Sequence, residues 1–198
     1  MTATKPKYFD FCEIRHLLKL ALPLLVTQVI TALMLFTDTV MAGRLSHVDM
    51  ASVSIATSLW GPIIFSVQGL LIAVTPVVAQ YFGSKSLVSK NASITSTLYQ
   101  GFYLAGIVSL FVILLYQFAD IPLNNLDLEP ELYDKSYGYL QFAIWSILPT
   151  CLFFVMRSFC EGLGLTTPAL ITGIVGLVAN IPLNYVFVYG KFGMPELG

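Results

Sequence analysis

Five stretches of this chain carry no charge at all: residues 20–37, 50–84, 91–119, 136–156 and 162–190. Each is near or above the roughly 20 residues that an α-helix needs to cross the hydrocarbon core of a bilayer. No water is available inside that core to satisfy backbone N–H and C=O groups, so a spanning segment must be a helix or part of a closed barrel. Barrel strands would read as segments of about ten residues with alternating polarity, whereas LFVILLY at 110–116 is continuously apolar. The pattern predicts an all-α integral membrane protein with about five transmembrane helices. Composition agrees, with 57% hydrophobic and 11% charged residues against roughly 25% charged in an ordinary soluble domain.

The ten basic residues set the orientation. Lys5, Lys7, Arg15 and Lys19 precede or open the first span, and alternating crossings put Lys85, Lys90 and Arg157 on the same side, leaving Arg44, Lys135 and Lys191 opposite. Basic residues favour the cytoplasmic side, so the N-terminus is expected there. Residues 1–16 read as a cytoplasmic N-terminal segment, without the short apolar core and cleavage site of a signal peptide. Residues 17–198 read as one transmembrane unit. A net charge of −1 gives no reason to expect a nucleic-acid partner.

Orientation also decides the run 50–84, which as one helix would be about 52 Å long. Two crossings there would move Lys85 and Lys90 to the outer side. One long, bent helix is expected instead, with Gly61-Pro62 and Pro76 as bending points. Span one is expected over about 17–43, span three over 93–118, span four over 135–158, and span five from Thr166 or Thr167 as N-cap with Pro168 in its first turn. LSHVDM reads as a short outer link, GSKSLVSKNAS as a polar inner loop, and the proline- and acid-rich 120–135 as an outer turn. The chain closes in KFGMPELG, which has the character of a mid-loop sequence, so a fragment of a longer polypeptide is expected.

Asp38 stands out because 18 uncharged residues precede it. An ionisable group inside a span costs roughly 2.5–3.5 kcal/mol on insertion scales and normally faces a cavity or a partner. Thr31 lies seven residues before it and Thr27 eleven, each within roughly 20° of the same helical face, so one side of span one is polar. Pro23 weakens the helix at the base of that stripe. The alternative role for Asp38 is to meet interfacial water or cap a neighbouring helix. In span five, Asn180 and Asn184 are one turn apart and flank Pro182. Two amides and freed carbonyls can coordinate a cation, and asparagines equally serve as glue between membrane helices. Tyr137, Tyr139, Gln141 and Trp145 of span four fit interfacial anchors, and Arg157 with Glu161 fits an i,i+4 pair at a helix end. Cys12, Cys151 and Cys160 have no metal-ligand spacing and read as packing residues. No nucleophile, zinc or phosphate-loop motif occurs, so the chain is not read as an enzyme.

The stretches LALPLL, DTVMAGRLS, the LW-P and TPVVAQ--G of span two, RSFCEGLG-T-PA and NIPLNYVFVYGKFG-PELG together resemble the multidrug and toxic compound extrusion (MATE) transporters, in their NorM-like bacterial branch. The resemblance runs from about residue 13 to the end. It implies the first lobe of a twelve-helix, two-lobe transporter, matched here through helix five, with the second lobe as the partner outside this chain. It implies an antiporter that exports cationic amphipathic compounds in exchange for Na⁺ or H⁺, with no cofactor beyond that ion. By position, the resemblance makes Asp38 the cation-coupling acid, Asn180, Asn184 and Tyr139 its polar network, and Pro23 the bend of the first helix; Thr27 and Thr31, on the polar stripe of Asp38, are then expected to line the cavity. Some relatives have an aspartate where Asn184 stands, so one titratable partner is absent here and both ions remain compatible. A lipid-linked sugar flippase of the same superfamily, for which more basic residues in the spans are expected, and a non-transporting membrane scaffold are the alternatives.

Overall fold

A computed structural model describes residues 11–44, 46–84, 87–118, 120–126 and 128–188. Lys5, Lys7, Lys85 and Lys191, and the closing KFGMPELG, lie outside the described residues. Among the described residues eight helices follow in chain order: α1 (Phe11–Gly43), α2 (His47–Leu71), α3 (Val74–Gly83), α4 (Leu87–Tyr116), α5 (Asp120–Asn124), α6 (Pro130–Trp145), α7 (Ile147–Gly162) and α8 (Thr167–Val188). By length and composition they provide four candidate crossings, and a fifth where α6 and α7 count as one broken span. α1, α4 and α8 each form one, α2 with α3 makes a second-span rod of 37 residues, and α6 with α7 makes a fourth span bent by 50°. The chain is thus an all-α integral membrane protein, as its uncharged runs require.

Two proline effects differ from expectation. In the second span the break falls at Ile72–Ala73, not at Gly61-Pro62, and α2 runs unbroken through Pro62. Pro76 lacks the N–H that would bond the Ile72 carbonyl, and the Thr75 N–H takes that carbonyl at 2.9 Å in a tighter turn. In the fourth span, expected as one helix, Pro149 leaves the Trp145 carbonyl without its helical donor. There Ser146 closes α6 by donating both its N–H (3.0 Å) and its hydroxyl (2.7 Å) to the Ala143 carbonyl. Helical structure also reaches further than the sequence boundaries suggest. α4 begins at Leu87, inside the expected polar loop. The expected outer link is mostly the first turn of α2, whose N-cap Ser46 accepts from the N–H groups of Val48 and Asp49 at 3.0 and 3.5 Å.

RSFCEGLG owes its form to a helix stop. Gly164 sits at φ 75°, a conformation that glycine adopts without steric cost. The Leu165 N–H then returns to the Cys160 carbonyl and the Gly164 N–H to the Glu161 carbonyl, each at 2.9 Å. This is the Schellman arrangement, which satisfies the last carbonyls of α7. Thr166 follows, its carbonyl accepting from the Leu170 N–H to start α8.

The core lies between α2, α3, α4 and α7. Leu71, Ile147, Cys151 and Val155 are fully buried there, with Val67, Ala105, Val112 and Ile144 around them. Two glycines let these helices close. A methyl group on Gly162 would lie 2.7 Å from the Thr75 carbonyl oxygen, and one on Gly101 would lie 2.8 Å from Cγ1 of Val155. The Thr75 hydroxyl adds a hydrogen bond to the Ser158 carbonyl at 3.1 Å. At the far end, Ala56, Leu123 and Leu140 form a smaller cluster. Above it Tyr137 stacks on both Tyr133 and Tyr116 at 6.2 Å between ring centroids, and Lys135 on α6 reaches the buried Asp49 of α2 at 2.5 Å.

α1 stands outside that core and pairs with α8, so the first and last helices of the chain are neighbours. With five crossings both run in the same direction. Their seam steps regularly along the two helices. Thr27 and Ile30 face Gly173, Met34 faces Gly176, and Asp38 faces Asn180 and Asn184.

Candidate functional site

The seam delivers the candidate site because the spacings on its two sides match. On α8, residues 173, 176, 180 and 184 fall on one stripe at steps of three and four, and on α1 residues 27, 30, 34 and 38 do the same. Glycine at 173 and 176 admits the bulk of Thr27, Ile30 and Met34. The asparagines one and two turns further along then arrive beside the carboxylate.

Asn180 Nδ2 donates to Asp38 Oδ1 at 3.0 Å. Asn184 Nδ2 donates to the same oxygen. Asp38 Oδ2 receives no hydrogen bond from the described residues, so the two amides orient the carboxylate and leave one oxygen available. Asn180 holds a further feature: its Oδ1 is buried and has no hydrogen-bond partner among the described residues. A buried carbonyl oxygen without a partner costs roughly 1–3 kcal/mol, and here it lies in the side chain already bonded to the acid. Rotating a carboxamide half a turn about its last bond exchanges donor for acceptor. The same Asn180 can therefore give N–H to a charged, empty carboxylate or oxygen to a cation beside it.

Tyr139 of α6 lies within electrostatic reach of Asp38 without a hydrogen bond to it, and its side chain is exposed. Thr31 is exposed as well, its hydroxyl donating to the Thr27 carbonyl at 3.0 Å. Thr27 is placed differently. It is buried in the seam, its methyl against Gly173 and its hydroxyl on the Pro23 carbonyl at 2.9 Å, so it packs the helix pair and does not face open space. Pro23 lies inside a continuous α1; its missing N–H leaves the Lys19 carbonyl without its helical donor, and the Thr27 hydroxyl bonds the Pro23 carbonyl one turn further on.

Two polar contacts went unrecognised in the sequence. The Asp49–Lys135 pair joins α2 to α6 at the far rim, and Glu131 stands 3.5 Å from the same ammonium. An acid in the first turn of α2 was its visible signal. The other is Gln28 of α1, to which Arg157 donates through Nη2 at 3.4 Å. The expected Arg157–Glu161 pair is present at 2.8 Å.

Fold and site together define a helical membrane bundle with an intramembrane carboxylate held by two amides across the seam of its outermost helices. The sequence matches the profile of the MatE family over residues 23–186, and the chain belongs to that family. Multidrug resistance protein NorM of Aliivibrio fischeri is 47% identical over 186 residues, which cover 94% of this chain and 40% of that protein. Multidrug resistance protein MdtK of Klebsiella pneumoniae is 46% identical over 190 residues, covering 95% of this chain and 40% of that protein. Among solved structures, a MOP superfamily transporter from Pyrococcus furiosus superposes with a TM-score of 0.77 at 17% identity, over 92% of this chain and 40% of that one. An outward-facing multidrug resistance MATE family transporter gives the same score and identity over 90% and 39%. The chain spans about two-fifths of the length of the relatives it matches, the extent of one lobe.

Proposed function

We propose that this chain works as the first lobe of a cation-coupled antiporter, exporting cationic amphipathic compounds from a bacterial cell through the inner membrane, with its N-terminus cytoplasmic and a second lobe as partner. The observation that carries this reading is the unpartnered Asn180 Oδ1 beside Asp38. A group that merely glued α1 to α8 would leave no acceptor idle.

Na⁺ is a cargo that binds through several oxygens. Asp38 Oδ2 and, after rotation of the carboxamides, Oδ1 of Asn180 and of Asn184 are available to it. A proton needs the carboxylate alone. Either cargo cancels the charge that holds the two N–H donors, which weakens the bond between α1 and α8 at that level and favours a second arrangement of the pair. A cationic substrate does the reverse by favouring the charged carboxylate. Antiport follows when the two cargoes prefer different arrangements, since a ligand shifts an equilibrium only by its differential affinity for the two states. Pro23 provides α1 with a place to bend during that exchange.

The oxygen set favours Na⁺. The test is drug efflux from vesicles carrying the chain joined to a second lobe, with a Na⁺ gradient and a pH gradient imposed separately. Efflux that responds to Na⁺ is expected. A response to the pH gradient alone would make Asp38 a simple proton carrier, and no efflux under either gradient from a correctly inserted protein would overturn the antiporter reading.

A further inference from the structure

Arg157 does more than close the end of its own helix. Its Nε bonds Glu161 at 2.8 Å, both side chains being less than one-fifth exposed, while Nη2 reaches across 129 residues of sequence to Gln28 of α1 at 3.4 Å. A guanidinium carries five donors in a planar fork and can serve a carboxylate and an amide together. The short bond to Glu161 fixes the fork, and the long one to Gln28 is a light contact that a small movement of α1 breaks.

The position of Gln28 gives that contact its significance. Below it α1 presents Leu17, Leu18, Leu22 and Leu25 outward, and Pro23 lies five residues before it. Thr27, the lowest residue of the α8 seam, is its neighbour in the chain, yet the two project about 100° apart around the helix. Besides the line along α8, α1 touches α2 where the two join, Gly43 lying beside Met50; at the level of Gln28, a contact a quarter-turn away from the α8 line adds a separate restraint on roll. Asp38, ten residues on and about 15 Å along the axis, meets both amides of α8 only when the roll is set correctly.

We propose that Gln28 and Arg157 form a second bearing for α1 and act as positioning residues for the Asp38 carboxylate. This rests on the reading of Asp38 as the coupling site. It also gives a partner to an amide on the exposed side of α1, where isolation in lipid would be unfavourable.

The test uses the chain joined to a second lobe, in lipid nanodiscs. Infrared difference spectra, with Asp38→Asn as the reference, isolate the carboxylate band of Asp38, and backbone amide exchange is followed over α1. Gln28→Leu is expected to move the Asp38 band toward that of a carboxylate with fewer donors. It is also expected to raise exchange over residues 30–40 by about fivefold, the effect of one ordinary hydrogen bond, with α4 and α7 unchanged. Gln28→Glu offers the guanidinium a carboxylate in place of the amide, so it should keep the wild-type band with exchange at or below wild type. A wild-type band and unchanged or slower exchange in Gln28→Leu would overturn the bearing and make Gln28 a lipid-facing amide. Titrating the same wild-type band with Na⁺ and with pH separates the two readings. A band that answers to Gln28 but to neither cation keeps the bearing and removes the coupling role. A band that answers to a cation but not to Gln28 does the opposite.

Discussion

The two helix contacts of this lobe that depend on glycine are built to different tolerances. Where α7 meets α3 and α4, a single added methyl would collide with a backbone carbonyl at 2.7 Å or with a stiff valine at 2.8 Å. Where α8 meets α1, the same methyl would lie 3.6 Å from Ile30 and Thr27, or 3.7 Å from Met34, which is ordinary contact. The first joint is apolar and closed. The second is looser, is crossed by polar side chains, and contains the acid. On the antiporter reading proposed above, the looser seam gives α1 and α8 room to change their arrangement, and the closed core is the body against which they would move.

The largest expected effect tests the polar end of the seam. Asp38→Asn, placed in a two-lobe transporter, should abolish drug resistance while expression and membrane insertion remain near normal, because the amide keeps the size and loses the exchangeable charge. Resistance at the wild-type level would return Asp38 to a packing role. Next comes Gly162→Ala, where overpacking against Thr75 should lower stability by about 1–3 kcal/mol, read as a lower unfolding midpoint of the purified chain. An unchanged midpoint would mean the core joint is as adjustable as the seam. Asn184→Ala should leave a partial transport defect, because Asn180 still serves the carboxylate. A complete loss would show that the two amides act as a unit. The smallest effect is expected for Gly173→Ala, within about 0.5 kcal/mol of wild type. A strong loss of stability there would erase the contrast between the two joints.

The spans were legible because the bilayer imposes a simple rule on them: four of the uncharged runs match candidate crossings outright, and the fourth-span run matches one broken at Ser146. The breaks were not legible from proline alone. Pro23, Pro62 and Pro182 lie within continuous helices, whereas Pro76 and Pro149 follow interruptions at Ile72–Ala73 and Ser146. Each removes one backbone donor, and the surrounding packing decides whether the helix bends to accommodate the loss. Asp38, Asn180 and Asn184 could be singled out as polar residues at regular steps on apolar helices. Periodicity within a helix says nothing about which helix it faces, so their meeting was implied by family resemblance and not by the residues themselves. The shared acceptor oxygen and the idle carbonyl of Asn180 are three-dimensional facts with no trace in the sequence. Gln28 was invisible for the same reason, since its partner lies 129 positions away.

That α1 pairs with α8 also has a consequence for biogenesis. Asp38 is synthesised 142 residues before Asn180, which at typical translation speeds is an interval of roughly 7 to 28 s. Throughout it the first helix must wait in the membrane with its acid unanswered, near the interface or neutralised, while α2 to α7 assemble beside it. The amides arrive with α8, and their bonds to Asp38 cannot form before it does. A ribosome that stalls before α8 leaves a bundle with a solid core and an orphaned carboxylate, a signal that membrane quality control could read as an unfinished chain.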